Sequence, residues 1–218
     1  MKITRIENQK KRPGRKSIFT AGEFAIGVAT DTLIRFGLRT GDEITEATLE
    51  KLSHAEELLA AKNAALRYLA IRPRTEREIR DALRDKEFSD RAALETIASL
   101  KESRLLDDAS FARSYIRNAL VLKPSGRVLL RQKLLLLGVE RSLAEEALDE
   151  VLTTGSELED AEKAARAFAA KKTRARSQGP EFRKKLTAYL LRRGYAWEIV
   201  RQAVKKALKD DQGEGDEF

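Results

Sequence analysis

Apolar and polar positions follow two different periods along this chain. Near the start, Ile3-Thr4-Arg5-Ile6 has the two-residue alternation of a half-buried strand. Ser17-Ile18-Phe19-Thr20 and Glu23-Phe24-Ala25-Ile26 flank Ala21-Gly22, which predicts two short strands around a glycine-containing turn. Between these strands and the first lies a basic loop, Lys10-Lys11-Arg12-Pro13-Gly14-Arg15-Lys16, and Gly37 and Gly41-Asp42 punctuate the end of the module. From about Thr45 the period becomes helical and stays so. The first helix is expected to run to about Ile71, where Arg72-Pro73 stops it.

Punctuation divides the rest into helices. Thr75-Glu76-Arg77-Glu78 is a capping box, in which Thr75 accepts from a free amide and Glu78 reaches back. It opens a helix that turns Ile79, Ala82 and Leu83 inward. Leu94, Ile97 and Leu100 mark the next, and Asp107-Asp108 starts another with Phe111, Tyr115 and Ile116 inside. Lys123-Pro124-Ser125-Gly126 breaks that helix. Gly138 and Gly194 end two others, because glycine adopts the left-handed conformation cheaply. Ser142-Leu143-Ala144-Glu145 and Ser156-Glu157-Leu158-Glu159 read as further capping boxes. Gln178-Gly179-Pro180 resets the chain before the last two helices, the final one from Ala196 to about Leu208.

The helices repeat. The block from Arg131 through Gly138-Val139 aligns with that from Thr187 through Gly194-Tyr195 at an offset of 56, and Arg80 through Phe88 aligns with the first of these at an offset of 51. The earliest copy has Glu87 where the others have glycine, so its turn is expected to close differently. Each copy is three helices, too small to cover its own apolar face, so neighbours must stack. The expected fold is mainly α: three tandem three-helix repeats in a curved, elongated array with a small N-terminal β-containing module. The expected boundaries are 1–44 for the β module, 45–106, 107–155 and 156–208 for the repeats, and 209–218 for an acidic, disordered tail.

Composition removes most catalytic chemistry. With no Cys and one His among 218 residues, a thiolate metal site, a cysteine nucleophile and a multi-histidine centre are excluded. No apolar run approaches the roughly 18 residues of a membrane span, and the basic N-terminus lacks the apolar stretch of a secretory signal. Asp107-Asp108 reads as a helix cap, His54 as a partly exposed residue of a charged helix, and Trp197 as a packing residue. No cofactor, metal or enzymatic activity is expected.

Charge is more informative. The net charge is +8, and residues 156–208 alone hold 14 Lys and Arg against 6 Asp and Glu. Residues 109–139 contain no acid, but carry Arg113, Arg117, Lys123, Arg127, Arg131 and Lys133. Residues 163–193 contain only Glu181, against Lys171, Lys172, Arg174, Arg176, Arg183, Lys184, Arg192 and Arg193 among others. Surface helices ordinarily intersperse signs and form pairs one turn apart. Without local partners, these residues are the candidate contacts for an anionic partner. Tyr115, Tyr189 and Tyr195 fall at core positions, so contact with nucleic acid is expected to be phosphate-directed and weakly sequence-specific.

Three blocks carry a family resemblance: Tyr68-Leu69-Ala70-Ile71-Arg72-Pro73-Arg74-Thr75-Glu76-Arg77-Glu78-Ile79, Leu105-Leu106-Asp107-Asp108-Ala109-Ser110-Phe111-Ala112-Arg113-Ser114-Tyr115-Ile116, and Gly126-Arg127-Val128-Leu129-Leu130-Arg131-Gln132-Lys133-Leu134 through Gly138-Val139. They resemble the RecX family of recombination regulators, and the Leu-Asp-Asp-x-x-Phe-Ala element is the most specific. The resemblance implies a cytosolic bacterial protein of DNA repair and the SOS response. It further implies binding to the RecA recombinase filament on single-stranded DNA, restraint of ATP hydrolysis and strand exchange, and in some members direct DNA binding. It does not identify the contact residues. A monomer is expected. The alternative is a free-standing DNA-binding protein of helix-turn-helix type, with its corners at Gly138 and Gly194.

Overall fold

The computed structural model describes residues 1–10, 12–170 and 179–213. They form two compact units: Met1–Pro73 with Ile79–Leu106, and Arg74–Glu78 with Asp107–Phe218.

The first unit opens with strands β1 (Ile3–Asn8), β2 (Arg15–Thr20) and β3 (Glu23–Ala29), an antiparallel sheet in that order. Ile6 pairs with Ile18, and Ile18 with Ile26. The β2–β3 turn has positive φ at both Ala21 and Gly22, the twist that suits a two-residue hairpin. A short helix α1 (Thr30–Arg35) follows, which the strand pattern did not predict. Thr45 then caps the 24-residue α2 (Glu46–Leu69) by accepting from Thr48 N at 3.2 Å. Helix α2 serves two cores. Leu52 joins Ile3, Ile18, Val28 and Ile44 beneath the sheet. Two turns on, Ala61, Ala64 and Ala65 pack with Ile79, Leu83, Ile97 and Leu100 of α3 (Glu76–Arg84) and α4 (Asp90–Glu102).

The second unit holds two helical triplets. In α5 (Asp108–Leu122), α6 (Arg127–Leu136) and α7 (Arg141–Val151), the core is Ile116, Leu130, Leu134, Val139, Ala147 and Leu148. In α8 (Thr154–Ala170), α9 (Pro180–Arg192) and α10 (Trp197–Gly213), it is Ala161, Ala165, Leu186, Leu190, Tyr195 and Val200. Pro180 occupies the first turn of α9, where its missing N–H costs nothing. Helix α10 continues past Leu208 to Gly213; residues 214–218 of the acidic tail lie outside the described residues.

Local caps partly follow the sequence. The Thr75 box closes as expected: Thr75 N donates to Glu78 Oε2 and Glu78 N to Thr75 Oγ1, both at 3.2 Å. Asp107 caps α5 by accepting from Ser110 N at 2.9 Å. The other two boxes do not form. Helix α7 starts at Arg141, and Ser142 Oγ donates to Glu140 at 2.7 Å instead. At α8 the reciprocal pair is one turn earlier: Ser156 N donates to Thr153 Oγ1 at 3.2 Å and Thr153 N to Ser156 Oγ at 3.1 Å. Glu145, the reciprocal acid of the Ser142 box, is thereby free for longer-range work.

The turns after the middle helices also differ from expectation. Glu87 has φ 62°, beside 90° at Gly138 and 81° at Gly194, so the first turn takes the same left-handed conformation without glycine. Within the second unit, glycine meets a further demand. A Cβ at Gly138 would lie under 3.0 Å from Arg77 Cβ, and one at Gly194 under 3.0 Å from the Leu129 backbone nitrogen. The first turns of α3 and α6 sit on these glycine corners. Thr75 Oγ1 donates to Leu137 O at 2.6 Å. Gly126 N donates to Arg193 O at 2.8 Å and Val128 N to Gly194 O at 3.0 Å. Each joint also has a carboxylate cap: Glu76 N donates to Asp108 at 2.9 Å, and Arg127 N to Glu157 at 2.8 Å.

Candidate functional site

The Gly126–Gly194 joint builds a cationic cleft. Residues 123–126 form the loop between α5 and α6, and Gly126 lets that loop meet the backbone of the α9–α10 corner. Ser125 Oγ donates to Lys123 O at 2.9 Å, which fixes the loop from within. From the other side, Arg193 Nη1 donates to Pro124 O at 2.8 Å while its guanidinium lies 5.1 Å from the Tyr189 ring centroid. The result is a cleft of about 310 Å³. Tyr115, Asn118 and Leu122 of α5 form one wall, Leu129 and Lys133 of α6 another, and Lys123, Arg192 and Arg193 complete it.

Four cations and no carboxylate line this space. Arg193 is held by a carbonyl and a ring, neither of which cancels its charge. Burial raises the Tyr115 phenol above its ordinary value of 10.0, so it remains a neutral hydroxyl at any physiological pH. Leu122, which lines the cleft, is 86% exposed, and its neighbour Val121 in the last turn of α5 is 85% exposed. Cations beside exposed aliphatic side chains suit an acidic surface that also carries apolar residues. Among the described residues no helix is long and apolar enough to cross a membrane.

The other sequence-predicted cations fall elsewhere. Arg113 and Arg117 reach Glu150 of α7 at 3.4 and 4.0 Å. Arg127 bridges Glu145 at 3.4 Å and Asp149 at 2.6 Å, and Arg131 Nη2 donates to Glu145 at 3.1 Å. These four were expected to be uncompensated, and that expectation is corrected: their acids come from the third helix of the triplet. Arg127 and Arg131 are one turn apart on α6, and Glu145 and Asp149 one turn apart on α7, so an antiparallel hairpin sets the pairs face to face. The one-turn spacing of the acids was legible, but the register that joins them was not. Arg183 is exposed and Lys184 pairs with Glu181 at 3.5 Å. Lys171, Lys172, Arg174 and Arg176 lie outside the described residues.

Two other residues separate into structural and exposed roles. His54 Nε2 lies 3.0 Å from Glu95 Oε2. That hydrogen bond, with a second from Arg91, lowers the Glu95 carboxyl below its usual 4.5. Trp197, expected to pack, is 57% exposed at the start of α10.

Comparison with known proteins matches the whole organisation. Residues 1–45 match the profile of the regulatory protein RecX N-terminal domain. Residues 61–100, 107–148 and 159–204 match the first, second and third three-helix domains of RecX. The regulatory protein RecX of Staphylococcus carnosus (strain TM300) is 31% identical, over 94% of this chain and 75% of its own. That of Clostridium botulinum (strain Alaska E43 / Type E3) is 26% identical, over 95% and 96%. A crystal structure of a regulatory protein RecX superposes with TM-score 0.75 at 28% identity, covering 96% of this chain and 98% of that one. RecX from Lactobacillus salivarius superposes at 0.64 and 25% identity, over 70% and 97%.

Proposed function

The chain belongs to the RecX family of regulatory proteins, and from that premise we propose that it docks on RecA recombinase filaments assembled on single-stranded DNA. There it restrains ATP hydrolysis and strand exchange. It acts in the cytosol, as a monomer, and without chemistry of its own. The observation that carries this reading is the cleft of Lys123, Lys133, Arg192 and Arg193, whose four cations meet no carboxylate among its lining residues.

Such a cleft recognises carboxylates or phosphates presented by a partner, and the exposed Val121 and Leu122 add contact area beside it. We assign the cleft to an acidic surface loop of the recombinase. The paired arginines of α5 and α6 are assigned to holding the triplet together. A helix-turn-helix role for the second triplet is disfavoured by charge. Its helix after the Gly138 corner, α7, carries Glu145, Glu146, Asp149 and Glu150 against Arg141; three of these acids already hold arginines of α5 and α6, so α7 has no basic surplus to offer phosphates.

The test is the rate of RecA-dependent ATP hydrolysis on single-stranded DNA as this protein is added. A fall that saturates with protein concentration supports the proposal. An unchanged rate at saturating protein refutes it.

A further inference from the structure

We propose that a groove in the first unit is a separate nucleic-acid site, which takes the phosphodiester backbone of a strand. The groove encloses about 510 Å³ and is lined by Asn63 and Arg67 of α2, Arg15 of β2, Glu56, and Lys86 from the turn after α3. Asn63 and Arg67 are one helical turn apart, so α2 presents them on one face.

The single lining carboxylate is already engaged. Glu56 Oε1 accepts from Ala29 N at 2.8 Å, and Oε2 lies 2.8 Å from Arg15 Nη1. Its side chain is only 9% exposed. Arg15 Nη2 in turn donates to Gly27 O at 2.7 Å. The Arg15–Glu56 pair is therefore a fixed, neutral floor. Arg67 and Lys86 stand on it as exposed cations, and neither side chain makes a hydrogen bond or ion pair to another described residue. Asp85 and Glu87 flank Lys86 in sequence, but neither lines the groove. Three residues before Arg15, the β1–β2 loop exposes Arg12, and Lys10 is exposed two residues earlier, so positive charge continues along the loop that supplies the floor.

The arrangement suits a strand better than a protein surface. Two unneutralised cations on separate elements match successive charges of a repeating polyanion, and Asn63 adds an amide that can donate to a phosphate oxygen. Its large aliphatic lining residue, Leu59, is 37% exposed, against 86% for Leu122 in the Lys123 cleft. This site concerns nucleic acid without RecA, so it stands or falls apart from the recombinase-docking proposal.

The experiment is fluorescence anisotropy of a labelled oligothymidine strand, without RecA, across a salt series. It compares the full chain with R67Q/K86Q and with the charge-matched R39Q/K51Q, whose positions are exposed and outside the groove. Losing two phosphate contacts on a single strand makes the salt slope shallower by about 1.4. The ratio of wild-type to R67Q/K86Q affinity should then shrink roughly sevenfold between 50 and 200 mM salt, while R39Q/K51Q keeps the wild-type slope. An unchanged slope in R67Q/K86Q overturns the proposal, and so does an equal change in the control. Competition by poly-glutamate that is as strong as competition by unlabelled strand, and is lost in R67Q/K86Q, assigns the groove to an acidic protein and likewise overturns it.

Discussion

Replacing Gly194 with alanine adds one methyl group where the two triplets of the second unit meet. Three costs follow. The residue has φ 81°, a conformation that costs a non-glycine residue about 1 kcal/mol. The new Cβ would lie under 3.0 Å from Leu129 N, Cα and Cβ, which belong to the rigid first turn of α6 and cannot rotate away. Relief requires the corner and the helix to separate, which stretches Gly126 N to Arg193 O and Val128 N to Gly194 O, now 2.8 and 3.0 Å. Each such bond, left unmade in a buried joint, costs about 1–3 kcal/mol. The sum is roughly 3–7 kcal/mol, or a fall in melting temperature of about 6–28 °C for a chain of this size. Thermal and urea unfolding followed by circular dichroism measure it. A loss of under about 1 kcal/mol would refute the reasoning, because it would leave only the backbone-conformation cost and no interlock.

Glu87→Gly is the converse: it relieves the left-handed strain but loosens the unfolded chain, so urea unfolding should place it within about 1 kcal/mol of wild type. Glu145→Gln removes the shared partner of Arg127 and Arg131. It should cost about 0.5–1 kcal/mol in urea unfolding while leaving RecA-dependent ATP hydrolysis as responsive as before. Because hydrogen bonds from His54 and Arg91 depress the Glu95 carboxyl, its stabilisation is present above the ordinary value of 4.5 and is lost as pH falls through the lower folded value. His54→Gln should therefore weaken the chain near neutral pH and flatten its acid-side loss of stability, as read by unfolding midpoints between pH 3 and pH 7.

Much of the fold was legible because it rests on local rules. The 51- and 56-residue offsets located equivalent helices, the Thr75 box and the Asp107 cap form as the spacing required, and Gly138 and Gly194 take positive φ. Features set by distant contacts were not legible. Glu87 adopts the conformation that two glycines supply elsewhere, and no local pattern announces it. Ser142 and Ser156 sit in capping sequences, but the helices start at other residues, and Glu145, which the first box would have used, is left to Arg127 and Arg131. In the second charge run Lys184 pairs locally with Glu181, but the arginines of the first run, residues 109–139, have no acid nearby in sequence. Their neutralisation by α7 depends on hairpin register, and this separates Arg113, Arg117, Arg127 and Arg131 from the cleft residues.

That separation is tested most directly by co-sedimentation with RecA filaments on single-stranded DNA at several salt concentrations. The comparison is between two charge-matched variants, K123Q/K133Q in the cleft and R113Q/R117Q among the paired arginines. R113Q/R117Q is expected to pellet with the filament as wild type does, while K123Q/K133Q remains in the supernatant at salt concentrations where wild type still binds. Equal loss in both variants, or no loss in K123Q/K133Q, would contradict that separation.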